Sequence, residues 1–360
     1  MRISVANGEV DLRTGELHPH CRESYCMKSI AYEYKPEAGG SDESAMSGGL
    51  GPGNSLRRPA MLWRKFLETV FNNDAELMDY VQRVVGYCLT ADTTEQCFFI
   101  AHGEGQNGKS TFIEVILRLM GSYAVKASAE TFLAGKHSTI RNDLARLAGA
   151  RFAAGMETGA DRKMALEVMK ELTGTDSITA RFLHREFFTF KPTFKIFIAT
   201  NHKPVIDDTG PAIWRRIRLI PFAVRIPDDQ RDNTLSVRLQ SREVMESVLA
   251  WAVEGAVRWY GEGLRIPASV AQATEQYRQE QDAVERFLAE RCVRLSFAKI
   301  QAAKLYAAFR AWAEENGEGE MTQKGFFLGL QIKGYRRVVG GKGYKFYEGL
   351  DVMSDREDEE

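Results

Sequence analysis

The residues of this sequence best suited to chemistry form one short segment, which reads GEGQNGKSTF from Gly103 to Phe112. Its spacing is G-x-x-x-x-G-K-[ST], in which glycines let the backbone curl so that successive N–H groups can face phosphate oxygens. Lys109 can neutralise charge on the β and γ phosphates, and the Ser110 hydroxyl can ligate magnesium. The segment therefore predicts nucleotide binding by the following residues: Gly103, Gly105, Asn107, Gly108, Lys109, Ser110 and Thr111.

Hydrolysis of a bound nucleotide needs further groups, and candidates for them follow in order along the chain. Glu157 comes directly after one predicted strand, where a carboxylate could hold magnesium and polarise the attacking water. Asn201 comes after another, where an amide could orient that water. Arg215 and Arg216 precede a third and could supply positive charge. Each has an ordinary alternative (a helix-starting acid, a turn residue, solvated arginines), but the ordered set favours a hydrolytic site.

These side chains must be positioned by a frame of strands and helices. The apolar run Cys97–Ala101 leads into the glycine segment, and apolar residues at helical spacing follow it. Further strands are expected at 151–156, 178–183, 187–190, 195–200 and 217–221, and helices at 139–148, 163–172 and 236–260. This alternation predicts an α/β domain with a mostly parallel sheet.

The rest of the chain divides by composition and turn signals. Asn7-Gly8 and Thr14-Gly15 indicate hairpin turns near the start, and a Gly-, Ser- and Pro-rich stretch follows. Helices near 268–291, 299–316 and 322–332 precede a Gly-punctuated hairpin. The predicted order is a small β-rich N-terminal module (1–37), a flexible linker (38–59), a helical subdomain (60–96), the nucleotide-binding core (97–260), a winged-helix-like domain (268–350) and an acidic tail (351–360).

Composition bounds the class of protein. The 360 residues are 44% hydrophobic and 27% charged, with a net charge of -1, so any nucleic-acid surface must be a local patch. There is no apolar run long enough to cross a membrane, and the start lacks the apolar core of a signal peptide. The five cysteines form no disulfide framework, which favours a reducing cytoplasm.

One cluster near the start combines possible metal ligands, namely His18, His20, Cys21 and Cys26. Their spacing matches no common zinc finger, and the flanking residues have the pattern of a hairpin. Solvent-facing hairpin residues are therefore preferred over a metal site.

Two segments have the character of nucleic-acid surfaces. Residues 178–190 form a predicted hairpin with the polar tip His184-Arg185, which could grip a phosphate with help from Lys170 and Arg181. An ordinary exposed hairpin is the alternative. Near the C-terminus the following cations alternate with tyrosines: Arg336, Arg337, Lys342 and Lys345. They suit a winged helix with a basic wing, and a protein-docking module is the competing interpretation.

The ordered motifs resemble those of superfamily-three helicases. The carriers of this resemblance are GEGQNGKST, the lone Glu157, LTGTDSITARF, IFIATNHKP and WRRIRLIPF. The sequence is most similar to the helicase half of phage and plasmid primase–helicases, which are related to the poxvirus primase-helicase. The resemblance implies an AAA+-like P-loop NTPase core, with residues 60–96 as an oligomerisation subdomain and a C-terminal winged helix.

Roles for single residues follow from the same resemblance. Lys109 and Ser110 would be the Walker A pair, Glu157 the Walker B carboxylate and Asn201 the sensor. Arg215 or Arg216 would be an arginine finger reaching a neighbour's nucleotide; Arg216 is favoured because it directly precedes the apolar strand. The resemblance implies ATP, Mg²⁺ and a homo-oligomeric ring, expected to be a hexamer. This ring would translocate 3′ to 5′ on single-stranded or forked DNA of a phage, prophage or plasmid-like element.

Two features depart from the resembling family. Met156 stands where a second acid or small polar residue often precedes the glutamate, which leaves the metal geometry open. The 360 residues leave no room for an upstream primase domain, so either a separate primase or polymerase is expected or this is a helicase-only version. Two other functions remain open at this point. One is an origin-melting or loader ATPase without processive unwinding, and the other is an ATPase acting on protein or a small-molecule phosphotransferase.

Overall fold

The computed structural model describes residues 1–39, 54–135, 141–156, 159, 162–208, 210–318 and 321–353, without the side chains of 54–57, 230 and 342. The chain divides into two compact units, Met1–Thr274 and Glu275–Glu360. In the described ranges, no helix combines the length and the apolar character needed to cross a membrane.

The chain begins with a small antiparallel sheet of β1 (Arg2–Val5), β2 (Gly8–Asp11) and β3 (Leu17–His18). Val5 pairs with Gly8 across the turn predicted at Asn7-Gly8. The inward side chains, such as Ile3 and Val10, are fully buried in the same hydrophobic core as the helices and strands that follow. This β-rich segment therefore packs as part of the first unit.

Two helices come next, α1 (Asn54–Val70) and α2 (Ala75–Leu89). Asp74 caps α2, its carboxylate accepting a hydrogen bond from the Leu77 N–H at 3.0 Å. Because α1 begins at Asn54, the predicted linker 38–59 ends too late; its residues 40–53 lie outside the described residues. Pro59 is the sixth residue of α1, where proline lacks the N–H that would bond to the carbonyl four residues earlier.

The core of the first unit is an α/β arrangement. Its further elements are β4 (Phe98–His102), α3 (Lys109–Met120), β5 (Ala124–Ser128), α4 (Asn142–Ala145), β6 (Phe152–Met156), α5 (Leu166–Leu172), β7 (Ile178–Ala180), β8 (Phe188–Phe190), β9 (Lys195–Thr200), α6 (Pro211–Trp214), β10 (Ile217–Pro221), α7 (Leu235–Leu239) and α8 (Arg242–Glu262). The boundary after Thr274 falls within the next helix, α9 (Ala268–Glu280). In the described part of the chain, a five-stranded sheet has the order β10-β4-β9-β6-β5, and every neighbouring pair is parallel. The expected parallel α/β sheet is confirmed.

Burial follows the position of each strand in this sheet. All six residues of β9 are buried, as suits an inner strand of a parallel sheet that is covered on both faces. The edge strand β5 is partly exposed along its length. Parallel strands end at one shared edge, and there the loops after β4, β6 and β9 emerge.

The second unit has its own core, built by α10 (Ala283–Arg291), β11 (Cys292–Val293), β12 (Lys299–Gln301), α11 (Ala302–Glu315), α12 (Gln323–Ile332), β13 (Arg337–Val339), β14 (Lys345–Glu348) and β15 (Asp351–Val352). The strands β12, β14 and β13 pair antiparallel in that order, and β11 pairs with β15. Phe287, Phe309 and Phe326 meet in the centre, with Phe309 and Phe326 stacked at 4.5 Å.

Two predicted helices of this region needed correction. The single helix expected at 268–291 is two helices, because Asp282 caps a new one by accepting from the Glu285 N–H. The helix expected from 299 begins at Ala302. Residues Lys299–Gln301 instead form β12, in which only the middle residue, Ile300, is buried, the alternation of a half-buried strand.

Candidate functional site

The predicted phosphate loop joins the end of β4 to the start of α3. Gly108 directly precedes the helix with a φ of 79°, a backbone conformation that side chains rarely adopt. A Cβ atom on Gly108 would lie 2.5 Å from Cγ2 of Val70, and one on Gly103 would lie 2.2 Å from the Phe222 carbonyl oxygen. Both glycines are therefore required by close packing, and the loop sits at the positive end of the α3 dipole.

Lys109 is the most constrained side chain of the loop. Its Nζ donates to the Gly103 carbonyl oxygen at 2.6 Å, to Oδ1 of Asn201 at 2.8 Å and to Oδ1 of Asn107 at 3.2 Å. Burial lowers the pKa of the Lys109 amine. The contact with Asn201 joins the glycine loop to the end of β9, so two predicted site residues that are far apart in sequence meet here.

Asn107 fastens the loop to its neighbours. Only 3% of this residue is exposed, and its Nδ2 donates to the Phe222 carbonyl oxygen at 3.1 Å, just after β10. Ser110 lies exposed in the first turn of α3, and Thr111 beside it is half-buried. The position of Asn107 in the motif did not predict that its side chain would hydrogen-bond the loop to the residue after β10.

The ends of the central strands form the floor of the site. His102 of β4 pairs with Thr200 of β9, and Met156 of β6 pairs with Ala199, so all three strands end at one edge. Thr200 is 2% exposed, and its hydroxyl donates to the His202 carbonyl oxygen at 2.7 Å, holding the turn that contains Asn201. Sequence reasoning missed Thr200, although threonine in a strand-ending turn is a recognised signal. Glu157 lies outside the described residues, and its catalytic role stays a prediction.

The two arginines lie at the opposite edge of the sheet. The Arg216 carbonyl oxygen accepts from the Phe98 N–H at 2.8 Å, at the beginning of β4, whereas Lys109 follows the end of that strand. Five strand residues at about 3.3 Å each separate these edges. The Arg216 guanidinium is therefore placed away from the phosphate loop of its own chain.

Arg216 is also incompletely paired. Its Nη1 donates to the Ala212 carbonyl oxygen at 2.5 Å, while Nε is buried without a hydrogen-bond partner among the residues described. Burial, and then the charge of Arg215, lowers the pKa of Arg216. Arg215 itself is exposed, and its carbonyl oxygen accepts from Arg218.

The predicted hairpin at 178–190 is present, with β7 and β8 paired from Ile178–Phe190 to Ala180–Phe188. His184 has a φ of 60°, and the Arg185 N–H donates to the Phe182 carbonyl oxygen at 3.0 Å to close the turn. Both strands are shorter than predicted. Residues 181–183 and Phe187, which were expected in the strands, therefore belong to the tip of the hairpin.

The composition of this tip differs from the expected polar one. Leu183 and Phe187 are 56% and 61% exposed, and the Phe182 ring stacks on Phe188 at 5.7 Å. Arg181 lies over the Phe187 ring at 4.6 Å. His184 and Arg185 are exposed beside them, so the tip presents apolar and aromatic surface together with an imidazole and a guanidinium.

The other predicted nucleic-acid residues belong to different units of the chain. Lys170, on α5, pairs with Glu167 at 3.2 Å and Asp208 at 3.3 Å, and the hydrogen bond to Glu167 raises its pKa. In the second unit Arg336, Arg337 and Lys345 are exposed, while the side chain of Lys342 is outside what the structure describes.

Of the cysteine and histidine cluster, His18 lies in β3, and His20, Cys21 and Cys26 lie in the segment that follows it. Cys21 donates to Glu23 at 2.8 Å, and its N–H donates to Glu9. Over the described ranges, no group of three or more His, Cys, Asp or Glu side chains is arranged to hold a metal ion.

Two family models match the chain. Residues 1–72 match a family described as "D5 N terminal like", which spans the N-terminal sheet and α1. Residues 101–216 match a "Family of unknown function (DUF5906)", which covers the phosphate loop, Asn201 and the arginines.

Relatives of the chain come from large DNA viruses. "Putative helicase L207/L206" of Acanthamoeba polyphaga mimivirus is 26% identical over 88% of this chain and 33% of its own length. "Putative helicase 022R" of Frog virus 3 is 24% identical over 85% of this chain and 33% of its own length. "Putative primase C962R" of African swine fever virus is 23% identical over 72% of this chain and 29% of its own length. The chain thus spans about a third of the length of the curated relatives it matches. Among solved structures, the apo C-terminal region of NrS-1 superposes with a TM-score of 0.48 at 11% identity, covering 81% of this chain and 76% of the other.

Proposed function

We propose that this chain, which carries a D5 N terminal like domain and is homologous to viral proteins named as helicases and primases, is an ATP-dependent DNA helicase module of superfamily three. It would act as a ring in the replication of a viral, phage or plasmid-like element, moving 3′ to 5′. The observation that carries the proposal is the 2.8 Å hydrogen bond between Lys109 and Asn201. It brings the phosphate-loop lysine and the strand-end amide into one site, as a nucleotide hydrolase requires.

The chemistry assigns a task to each group of this site. The backbone of Gly103–Gly108 and the α3 dipole would bind the phosphates, and Lys109 would exchange its loop carbonyl partner for phosphate oxygens. The Ser110 hydroxyl and the Glu157 carboxylate are hard oxygen donors of the kind that would hold Mg²⁺, which when bound neutralises phosphate charge. Asn201 would orient the attacking water and detect the γ-phosphate through its contact with Lys109.

The position of Arg216 supports a ring. An arginine at the opposite sheet edge from its own phosphate loop is of use to hydrolysis only at a neighbour's nucleotide. A surface that contacts a different surface of the next copy closes into a ring when the rotation permits. We therefore assign Arg216 as the finger acting in trans; such a finger typically contributes about 10³–10⁵ in rate.

The hairpin tip supports contact with single-stranded DNA. Arg185 and His184 can meet phosphates, and the exposed rings of Phe187 and Phe182 can contact unpaired bases, whose faces are apolar. The sequence predicted that the hairpin tip binds phosphate, and the proposal adds a contact between its aromatic rings and the bases. Apolar side chains at 56% and 61% exposure are otherwise unfavourable in water, which suits a surface that is covered during function.

The proposal is tested by measuring ATP hydrolysis and fork unwinding in parallel. We expect Lys109→Ala and Glu157→Gln to abolish hydrolysis, with Glu157→Gln still binding ATP. The double variant His184→Ala/Arg185→Ala should lose more unwinding than hydrolysis. Lys126→Ala removes an exposed cation from the edge strand β5 and serves as the matched control. Full unwinding by the hairpin variant, or hydrolysis by Lys109→Ala, contradicts the proposal.

A further inference from the structure

A groove in the second unit lies outside the nucleotide site. It has a volume of about 900 Å³ and runs between α12 and the β13–β14 strands. Four cations line it, Lys324, Arg336, Arg337 and Lys345, and its described lining contains no Asp or Glu. None of the four has an ion pair with another described residue. A chain with a net charge of -1 thus concentrates in one groove positive charge that no described acid neutralises.

The same groove presents aromatic and amide surface. Tyr344 is 53% exposed at its rim, and Tyr335 and the half-buried Phe327 line it more deeply. Gln323 and Gln331 add side-chain amides that can both donate and accept hydrogen bonds. Cations for phosphates, rings for base stacking and amides for base edges are the combination that binds an unpaired nucleic-acid strand.

The exposed face of α12 argues against duplex as the ligand. A helix that enters a major groove meets polar base edges between two phosphate backbones. α12 instead exposes Leu328 and Ile332, each at 55%, and carries Lys324 as the single cation on its exposed face. Apolar side chains beside a stacking ring suit bases whose faces are accessible, which are those of a single strand.

We infer that the groove between α12 and the β13–β14 strands binds single-stranded nucleic acid, with Arg336, Arg337 and Lys345 on phosphates and Tyr344 stacked on a base. The inference deepens the DNA-binding part of the proposed function, but it needs neither ATP hydrolysis nor a ring. An acidic peptide is the other class of ligand that such charge could attract, and the test includes it as an outcome.

The test measures binding without nucleotide, so that failure of the ATPase proposal and failure of this inference are distinct. The full chain carrying His184→Ala/Arg185→Ala, which weakens the hairpin contact, is titrated into a fluorescent oligothymidine and into a duplex of the same length. Tyr344→Ala is expected to weaken single-strand binding by about 5- to 150-fold, the range for one stacked base, with little effect on duplex binding. Arg336→Ala/Arg337→Ala should lower the slope of log affinity against log salt by about 1.4, since each phosphate contact on a single strand contributes about 0.7.

Lys299→Ala is the matched control, because Lys299 lies on β12 of the same sheet but pairs with Glu348 at 3.3 Å outside the groove. It should leave both affinities unchanged, and thermal unfolding verifies that each variant is folded. If Tyr344→Ala lost duplex binding and single-strand binding equally, the groove would bind duplex DNA as well, and the inference would be overturned. Unchanged affinity for both DNAs in the groove variants would point to a peptide ligand and overturn it as well.

Discussion

At the scale of single residues, Lys195 has an unusual environment outside the proposed nucleotide site. This lysine is 1% exposed at the start of β9, and its Nζ donates to the Thr90 carbonyl oxygen at 2.6 Å and the Asp92 carbonyl oxygen at 3.1 Å. It also lies 4.6 Å from the Tyr87 ring centroid. Burial lowers its pKa to about 7, which makes the fold sensitive to pH near neutrality.

The sign of this sensitivity follows from proton binding. Between pH 7 and the ordinary lysine pKa of about 10.4, the unfolded chain holds a proton on Lys195 that the folded chain has lost. The free energy of unfolding should therefore rise with pH in this window. Below pH 7 both states are protonated, and the full cost of burying the charge remains.

In the wild type, the free energy of unfolding should increase between pH 6.5 and pH 8.5. We predict that this increase is smaller by about 1–2 kcal/mol in Lys195→Met. Urea unfolding at both pH values gives the comparison. Lys191→Met replaces an exposed lysine close by in the chain and should retain the wild-type pH dependence. An equal pH dependence in wild type and Lys195→Met would contradict the assignment. A lower stability of Lys195→Met at both pH values would not contradict the lowered pKa of Lys195, because the carbonyl oxygens of Thr90 and Asp92 lose their hydrogen-bond donor in this variant.

At the scale of elements, the helices α2 and α8 of the first unit pack directly against each other. α2 and α8 approach so closely at Gly86 that a Cβ atom there would lie 2.0 Å from the Ala256 backbone nitrogen. A Cβ on Gly255 would lie 2.1 Å from the Gln82 carbonyl oxygen. The two helices are therefore in backbone contact through paired glycines, and no side chain fits between them.

We predict that Gly86→Ala destabilises the first unit by about 1–3 kcal/mol or more, because backbone atoms must move apart to admit the methyl group. Gly261→Ala is the matched control near the end of α8, where nothing lies within 4 Å of the added Cβ. Alanine there should be neutral or stabilise by up to about 1 kcal/mol through its better helix propensity. Thermal unfolding of both variants provides the measurement, and equal melting temperatures would show that the close approach is not maintained.

At the scale of the whole molecule, the two edges of one sheet carry complementary halves of the proposed catalytic site. Lys109 and Asn201 lie at the carboxyl edge, and Arg216 lies at the amino edge. One copy can then supply the nucleotide site while its neighbour supplies the guanidinium. Under the proposed function, hydrolysis would depend on assembly, which a mixture of defective copies can test.

We predict that Lys109→Ala and Arg216→Ala, each inactive alone, regain hydrolysis when mixed. Random mixing in equal amounts gives about a quarter of neighbouring pairs an intact site facing an intact finger, so about a quarter of the wild-type rate should return. Lys109→Ala mixed with Asn201→Ala is the control, since both residues belong to the same site and no copy is complete. If hydrolysis returned only when Lys109→Ala was mixed with Arg215→Ala, Arg215 would be the arginine finger. If neither arginine variant restored hydrolysis in a mixture with Lys109→Ala, action in trans would be excluded.

The sequence by itself determined the parallel α/β frame and the order of the chemical groups. The strand bounds Lys195–Thr200 and Ile217–Pro221 agree with prediction, because continuous apolar runs bounded by turn residues leave few alternatives. The glycine loop was recognisable because phosphate binding by such a loop requires particular backbone conformations at fixed spacing. The hairpin at 178–190 was also predicted, although its exposed rings were assigned to the strands.

Only the tertiary structure decided which of these groups meet. Sequence order cannot reveal that Lys109 contacts Asn201, that Asn107 holds the loop to Phe222, or that Arg216 lies at the far edge, because these distances depend on strand order in the sheet. Burial likewise depends on the whole core, and local pattern gave no sign that Lys195 would be enclosed or that Leu183 and Phe187 would be exposed. Local composition determines the elements, whereas contacts between distant segments determine the site that they build.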